Sequence, residues 1–385
     1  MAVGGATGTA GAPPPARIIG AGPVLLWGIT SAERLRRSLA RAGVREVAPE
    51  QGGDPAGPVI LVRADWVFDD VLIQRLVKQP GTLLVADSGQ AVAAHATAGQ
   101  AGEALQALTT GAAAARTGAA ALRRVNSAEL AGAYDQALRK RQPPYLLRLT
   151  EAGLPAIERR MFAGSYKGVT DLVTKYVWPR PAQMVTKWCA VAGITPNQVT
   201  AVSLLLVFAA FALFWKGYFW WGLAAAWPMT FLDTVDGKLA RVTLTSSKFG
   251  NIFDHGIDLI HPPFWWWAWM VGLAHVGMPL AQFDLVLAVI AGGYVLQRIG
   301  EAVFITAFGM QMHIWRRFDS RFRLITARRN PNLILLTVAM IFGRPDLGIL
   351  AVAVWTALSL AVHAAQIVQG WFARRRGPLE SWLSQ

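Results

Sequence analysis

Between residues 233 and 258 the chain carries four aspartates in two pairs, Asp233-Thr-Val-Asp236-Gly237 and Asp254-His-Gly-Ile-Asp258. Spacings of three and four put each pair on one helix face, one turn apart. Four carboxylates converging in a low-dielectric setting cannot all stay ionised without a cation. Mg2+ or Mn2+ accepts all-oxygen ligation and bridges carboxylates to phosphate groups. Gly237 and Gly250 lack side chains, so a nucleotide can approach the helix backbones closely. Arg241 and Lys248 bring positive charge suited to phosphate. Residue chemistry alone therefore implies metal-dependent phosphoryl transfer in this segment.

The elements that must hold these residues follow from composition. The 385 residues are 54% hydrophobic and only 16% charged, with a formal net charge of +14. So apolar a chain is neither disordered nor a nucleic-acid-binding tail; the balance is that of a membrane protein with a basic face. The single cysteine, Cys189, excludes an intrachain disulfide framework and a cysteine-cluster zinc site. Residues 1–17 are rich in Ala, Gly and Pro and are expected to be a disordered N-terminus without a cleavable signal peptide.

Long apolar runs and twelve of the sixteen tryptophans follow residue 198. A spanning helix needs about 20 apolar residues. On that basis the sequence predicts an α-helical bundle of six transmembrane helices, near Gln198–Trp215, Phe219–Arg241, Phe249–Met270, Ala281–Ala307, Pro331–Phe342 and Leu347–Gly370. The aspartate pairs then fall at the end of the second span and the start of the third, joined by a short loop. With Asn197 cytoplasmic, the inner side collects Lys238, Arg241, Lys248, Arg316, Arg317, Arg321, Arg323, Arg328, Arg329 and Arg374 to Arg376, and the outer side keeps Lys216 and Arg344. This asymmetry predicts both termini and the aspartates on the cytoplasmic side. Trp220, Trp221, Trp265 to Trp267 and Trp269 fit interfacial positions, or plain lipid-facing packing.

Residues 18–145 read as a small cytoplasmic α/β domain, with β-rich runs at Pro23–Ile29, Val59–Val62 and Thr82–Ala86 and helical periodicity at Ala32–Ala42 and Asp70–Lys78. The stretch Ala91–Leu122 is poor in large side chains and is expected to pack loosely. Residues 146–196 form a basic amphipathic connector suited to a membrane surface. The membrane domain covers residues 197–372, and residues 373–385 form a basic cytoplasmic tail.

The pattern D-x2-D-G-x2-A-R-x8-G-x3-D-x3-D, met at all eight fixed positions from Asp233 to Asp258, resembles the signature of the CDP-alcohol phosphotransferases. Thr195-Pro-Asn-Gln-Val-Thr200 resembles the family's lead into its first span. The resemblance covers about residues 165–370. It implies transfer of a phospho-alcohol or phosphatidyl group from a CDP-linked donor to a hydroxyl acceptor, with release of CMP, in a prokaryotic inner or plasma membrane. It assigns Asp233, Asp236 and Asp254 to a Mg2+ or Mn2+ site. Asp258 would complete that site and act as general base, and Gly237, Ala240, Arg241 and Gly250 would line the CDP pocket. Membrane lipids and a second copy in a homodimer are the implied partners; nucleic acid is not.

Other features carry less. Arg298 and Glu301 lie one turn apart, and Arg316 and Arg317 follow. In relatives with a phosphorylated acceptor, arginines of this region bind its phosphate, whereas Arg321 to Arg329 read as topology determinants and lipid attraction. His255 sits between motif aspartates, where it would orient a neighbour. His261, His275, His313 and His363 are scattered without ligand-pair spacing.

The N-terminal layout, with Val62-Arg-Ala-Asp65 and Gly81-Thr-Leu-Leu-Val-Ala-Asp87, faintly resembles the nucleotidyltransferase domain of bifunctional CDP-inositol-linked relatives. A glycine-rich basic loop is missing after the expected first strand, where the sequence reads Leu25-Leu-Trp-Gly28-Ile-Thr-Ser31. The domain is therefore expected to be degenerate, with Asp65 a vestigial metal ligand or a strand-end cap. Two other functions compete: a transporter or channel lined by intramembrane aspartates, and a subunit whose N-terminal module docks a separate cytidylyltransferase.

Overall fold

The computed structural model describes residues 13–48, 57–111, 121–135 and 138–384, apart from the side chains of Lys248, Phe249, Asn251 and Asp254. The chain divides into two compact units. The first takes the described residues up to Tyr134, with 142–164 and 242–245; the second takes 135–141, 165–241 and 246 onward.

In the N-terminal unit, β1 (Ala16–Ile19), α1 (Ser31–Arg41), β2 (Val47–Ala48), β3 (Val59–Arg63), β4 (Trp66–Phe68), α2 (Asp70–Val77), β5 (Thr82–Val85), β6 (Ala91–Ala96), α3 (Ala101–Thr110), β7 (Arg123–Val125) and α4 (Ser127–Ala131) follow in order. The two-residue strands β8 (Tyr134–Asp135) and β9 (Lys140–Arg141) come next. Then come β10 (Leu146–Arg148) and α5 (Leu154–Gly164). Six strands form a mixed sheet in the order β2-β1-β3-β6-β5-β7. β1 runs parallel to β2 and β3, β6 runs antiparallel to β3 and β5, and β7 is parallel to β5. β3 is buried along Val59 to Val62 on both faces, as the unbroken Val-Ile-Leu-Val run demands. Thr30 caps α1 by accepting from the Glu33 amide at 3.1 Å, and Asp69 caps α2.

Two expectations for this region need correction. The first strand is Ala16–Ile19, not Pro23–Ile29. Residues 26–29 instead make a tight hairpin turn, closed by Leu26 N–H to Ile29 O at 2.8 Å and Ile29 N–H to Leu26 O at 3.1 Å. Trp27 and Gly28 both have positive φ, 51° and 77°, as a two-residue primed turn requires. Trp27 is held there by burial, stacking on Phe162 at 5.8 Å and donating its amide to Glu158 at 3.0 Å. The loop after the true first strand is Gly20-Ala-Gly22-Pro, with two glycines and still no lysine. A Cβ on Gly22 would lie 2.1 Å from Ser31 Oγ, so that glycine accommodates its own neighbour.

The Ala-rich stretch, moreover, packs closely. Ala91, Ala93, Ala94 and Ala96 are fully buried in β6, and Ala101, Ala104 and Ala107 of α3 pack against that face. Small side chains bring helix and sheet together rather than loosening them; residues 112–120 lie outside the described part.

The second unit is helical. A π-helical turn at Val173–Val177 precedes α6 (Pro179–Val191), α7 (Pro196–Trp215), α8 (Phe219–Val242), α9 (Lys248–His275), α10 (Phe283–Leu287) and α11 (Gly293–Phe308). α12 (Arg317–Phe322), α13 (Arg329–Ile341) and α14 (Pro345–Arg374) complete it. A second π turn, Ala288–Gly292, joins α10 to α11. Among the described residues, three helical stretches are long and apolar enough to cross a membrane: Pro196–Trp215, Phe283–Phe308 and Pro345–Arg374.

The packing is that of a bundle in lipid, with polar groups inside and apolar ones outside. On α14, Thr356, Ser359, His363 and Gln366 are buried while Leu347, Val354, Leu358 and Val368 are exposed. Tryptophan placement splits. Trp220 and Trp221 are exposed, but Trp265, Trp266 and Trp269 are buried among Phe214, Phe219 and Leu223. Trp265 Nε1 donates to Val207 O at 3.0 Å and Trp269 Nε1 to Pro345 O at 3.1 Å. A buried indole needs such an acceptor, and a helical carbonyl has a second lone pair to offer.

Candidate active site

Thr195 opens α7 with a capping box, its hydroxyl and the Gln198 side chain satisfying each other's backbone N–H groups, and Pro196 takes the first turn where no amide is needed. This fixes Asn197 and Thr200 at the head of α7. Asn197 Oδ1 would lie 2.6 Å from a Cβ on Gly250, so α9 starts against α7 only because residue 250 is glycine. Ser247 caps α9 by accepting from the Gly250 amide at 2.9 Å.

Asp233 and Asp236 stand on the last turns of α8, and Asp258 on α9. Asp236 is 3% exposed; its Oδ2 accepts from Thr200 Oγ at 2.6 Å and its Oδ1 has no partner. Asp233 Oδ2 and Asp258 Oδ1 each accept from the same guanidinium, that of Arg329, at 2.5 Å. Three motif aspartates are thus brought to one region, while the side chain of Asp254 lies outside the described residues. Tyr294 Oη donates to Leu259 O at 2.9 Å from the neighbouring helix.

This donor set fits a divalent cation. A buried carboxylate oxygen without a partner is costly unless a cation or proton serves it. Arg329 already places positive charge between two of the acids, the electrostatic role a metal would fill. The hard oxygen ligands suit Mg2+ or Mn2+.

Arg241 Nη1 donates to Ser165 O at 3.3 Å, and its guanidinium would lie 3.6 Å from a Cβ on Gly237. The backbone at Gly237 is thereby left open beside a cation. Lys238 Nζ lies 3.6 Å from the Tyr166 ring centroid. Ala240 O accepts from Ser246 Oγ at 3.3 Å.

A second polar cluster is basic. Glu301 accepts from Arg328 and pairs with Arg298 at 3.1 Å and His313 at 3.2 Å. Nε of Arg298, Nε and Nη1 of Arg323 and Nε of Arg328 are buried without hydrogen-bond partners. In the loop after α12, burial and then the Arg328 charge push the Arg323 pKa well down. The Arg139 pKa is lowered the same way, by burial and then by Arg328. Burial is the main cause of both shifts, and the Arg328 charge adds to it. Arg323 does find Asp171, whose carboxyl is held low, against its burial, by that guanidinium and by hydrogen bonds from Thr174 and Asn330.

Three sequence-based assignments change here. Arg316 is forked onto buried Asp319 at 2.9 and 3.0 Å and bonds Gln369 at 2.7 Å, and Arg317 stacks over Trp382. The arginines that converge instead are Arg298, Arg323 and Arg328, with Arg329 on the aspartates. Arg323, Arg328 and Arg329 had read as a basic run for topology, because no spacing rule connects residue 329 to residue 233. The histidines also come together: ligand atoms of Glu301, His313 and His363 lie within 4.8 Å of one another. Glu301 faces both Arg298 and Arg328, whereas Asp233 and Asp258 share Arg329, so the aspartates are the better metal site. Lastly, Asp65 pairs with Arg63 at 2.6 and 2.9 Å, which leaves it neutralised within its own strand end.

Residues 193–363 match the model of the CDP-alcohol phosphatidyltransferase family. Over 196 residues the chain is 26% identical to an archaetidylinositol phosphate synthase of Pyrococcus horikoshii, covering 49% of this chain and 92% of that protein. It is 34% identical over 83 residues to a phosphatidylinositol phosphate synthase of Mycobacteroides abscessus, covering 20% of this chain and 38% of the relative. A cholinephosphotransferase 1 of Xenopus laevis is 30% identical over 139 residues, covering 32% of this chain and 33% of the relative.

Proposed function

We propose that this chain, whose residues 193–363 match the CDP-alcohol phosphatidyltransferase model, transfers a phospho-alcohol or phosphatidyl group to the hydroxyl of an acceptor that itself carries a phosphate. The acceptor oxygen forms the new P–O bond to the phosphorus distal to cytidine, the bond from that phosphorus to CMP breaks, and the hydroxyl proton passes to Asp258. Asp233, Asp236, Asp254 and Asp258 would hold Mg2+ or Mn2+, which when bound neutralises the diphosphate and the leaving CMP. Gly237, Ala240, Arg241 and Gly250 would take the CDP moiety, with Arg241 supplying charge beside an open backbone.

The observation that carries the acceptor assignment is the basic cluster. Arg298 and Arg328 share one glutamate, the Arg323 guanidinium lies within their electrostatic reach, and the unpartnered nitrogens of all three suit a dianion. The relatives named for inositol phosphate products favour the same chemistry. Six spans, cytoplasmic termini, a homodimer and a non-catalytic N-terminal unit complete the reading. That last point rests on a loop after β1 without lysine and on Ser31 filling the space at Gly22. The test is CMP release by purified protein with Mg2+, across CDP-diacylglycerol and soluble CDP-polyols, each against inositol, inositol 1-phosphate and simple alcohols. CMP release only with the phosphorylated acceptor is expected. Release with inositol alone overturns the acceptor assignment, and no release from any CDP-linked donor overturns the reaction class.

A further inference from the structure

The loop that joins the two aspartate helices folds with the N-terminal unit. α8 ends at Val242 and α9 begins at Lys248, and residues 242–245 between them belong to the first compact unit. Two side chains of α1 hold this loop by its backbone. Arg34, itself 6% exposed, donates Nη1 to the Val242 carbonyl, and Arg37 donates Nη1 to the Thr243 carbonyl at 2.9 Å. Glu33 orients Arg37 by accepting from its Nε at 2.8 Å. Both acceptors lie at the C-terminal end of α8, where carbonyls lack intrahelical partners and favour cations.

Leu244 adds an apolar anchor. It is buried and lines one small cavity with Leu26, Leu35, Trp66, Phe68 and Ile73. Its φ is +55°, a conformation that a branched side chain adopts only when its surroundings impose it. Thr243 and Thr245 hydroxyls bond each other across it at 2.7 Å. Eight residues separate Arg241 from Gly250, and the part of that stretch nearest α8 is fixed by three independent contacts.

We propose that the N-terminal unit is a clamp on this loop, and that Arg34, Arg37 and Leu244 are positioning residues that set the spacing of the Asp233/Asp236 and Asp254/Asp258 pairs. The role rests on the transferase reading above. It gives the unit a function that needs no nucleotide chemistry of its own. Misplacing reacting groups by about 1 Å costs on the order of a hundredfold in rate, so releasing the loop is expected to act on metal binding and turnover together.

The test uses the full-length protein in lipid nanodiscs. Mn2+ affinity is measured by titration calorimetry, and CMP release separately, for wild type, Arg34→Ala/Arg37→Ala, Leu244→Ala and the milder Arg34→Lys/Arg37→Lys. Arg36→Ala, an exposed neighbour on the same helix, is the control expected to match wild type. The expected result is Mn2+ affinity weakened about tenfold and kcat lowered about 10- to 100-fold in the double alanine variant, with the lysine pair intermediate. Unchanged Mn2+ affinity and turnover in folded variants would overturn the clamp. So would losses that track only the fraction of folded protein, or an equal loss in Arg36→Ala. Wild type that binds Mn2+ but releases no CMP would instead sink the transferase reading and leave the affinity comparison intact.

Discussion

The two polar clusters of the helical unit are opposites. Around Asp233, Asp236 and Asp258 the described acids outnumber the one arginine, Arg329. Around Glu301 and Asp171 the arginines, Arg298, Arg323 and Arg328, outnumber the acids. Elsewhere among the described residues single pairs balance: Arg63 with Asp65, Arg316 with Asp319, Arg344 with Asp346. Uncompensated charge is expensive wherever water is scarce. Where a protein leaves an excess of one sign, a ligand of the other sign is expected to complete it. On the proposed reading one cluster would take a cation and the other an anion, as joining a metal-bound diphosphate to a phosphorylated alcohol requires.

The sharpest way to break this comparison is at the acidic cluster. Asp258→Asn should lower CMP release by a hundredfold or more, since a single preorganised electrostatic contact is worth about 3–4 kcal/mol; a variant with near-normal turnover would remove Asp258 as base. Arg298→Gln should raise KM for a phosphorylated acceptor about tenfold at nearly unchanged kcat, and leave KM for the CDP-linked donor alone. A matching change for both substrates would merge the clusters into one site.

Arg329→Gln tests the same contrast from the other side. It removes the internal cation between Asp233 and Asp258, so Mg2+ should bind about tenfold more tightly and raise Tm by a larger increment than in wild type. Arg316→Ala removes a structural pair rather than a ligand contact. It should cost about 1–3 kcal/mol by stripping a partner from buried Asp319, with no change in acceptor KM.

The smallest effect lies in the N-terminal unit, where His95 is buried in β6 beside the Leu76 carbonyl. Burial is the main cause lowering its pKa. Because the folded form resists protonation, the unfolded chain takes up the proton first as pH falls below about 6.5. Stability conferred by neutral His95 is therefore complete above that pH and is lost below it, by at most about 1.4 kcal/mol per pH unit. Hydrogen exchange across β5 and β6 at pH 7 and pH 5 should show the loss, and His95→Gln should remove the pH dependence.

How legible this was in the sequence differs between particular residues. The aspartate pairs could be read because helix periodicity is local: residues three and four apart share a face whatever surrounds them. The apolar runs at Pro196–Trp215 and Pro345–Arg374 could be read because lipid demands about 20 apolar residues in a row. The strand at Ala16–Ile19 was missed because Pro23–Ile29 has the better strand composition. A buried Trp27 stacked on Phe162 overrides that propensity and makes a turn.

What the sequence by itself determined is therefore the local chemistry: four carboxylates, glycines and an arginine at helical spacing, in a chain with other helices apolar enough for a membrane. Only the tertiary structure decided which distant charges meet them. Arg329 reaches Asp233 across 96 residues, His313 and His363 meet at Glu301, and the loop beyond Arg241 is gripped by α1 some 200 residues earlier. Contacts of that kind depend on how helices pack, and packing is set by the shapes of whole side-chain layers rather than by any spacing along the chain.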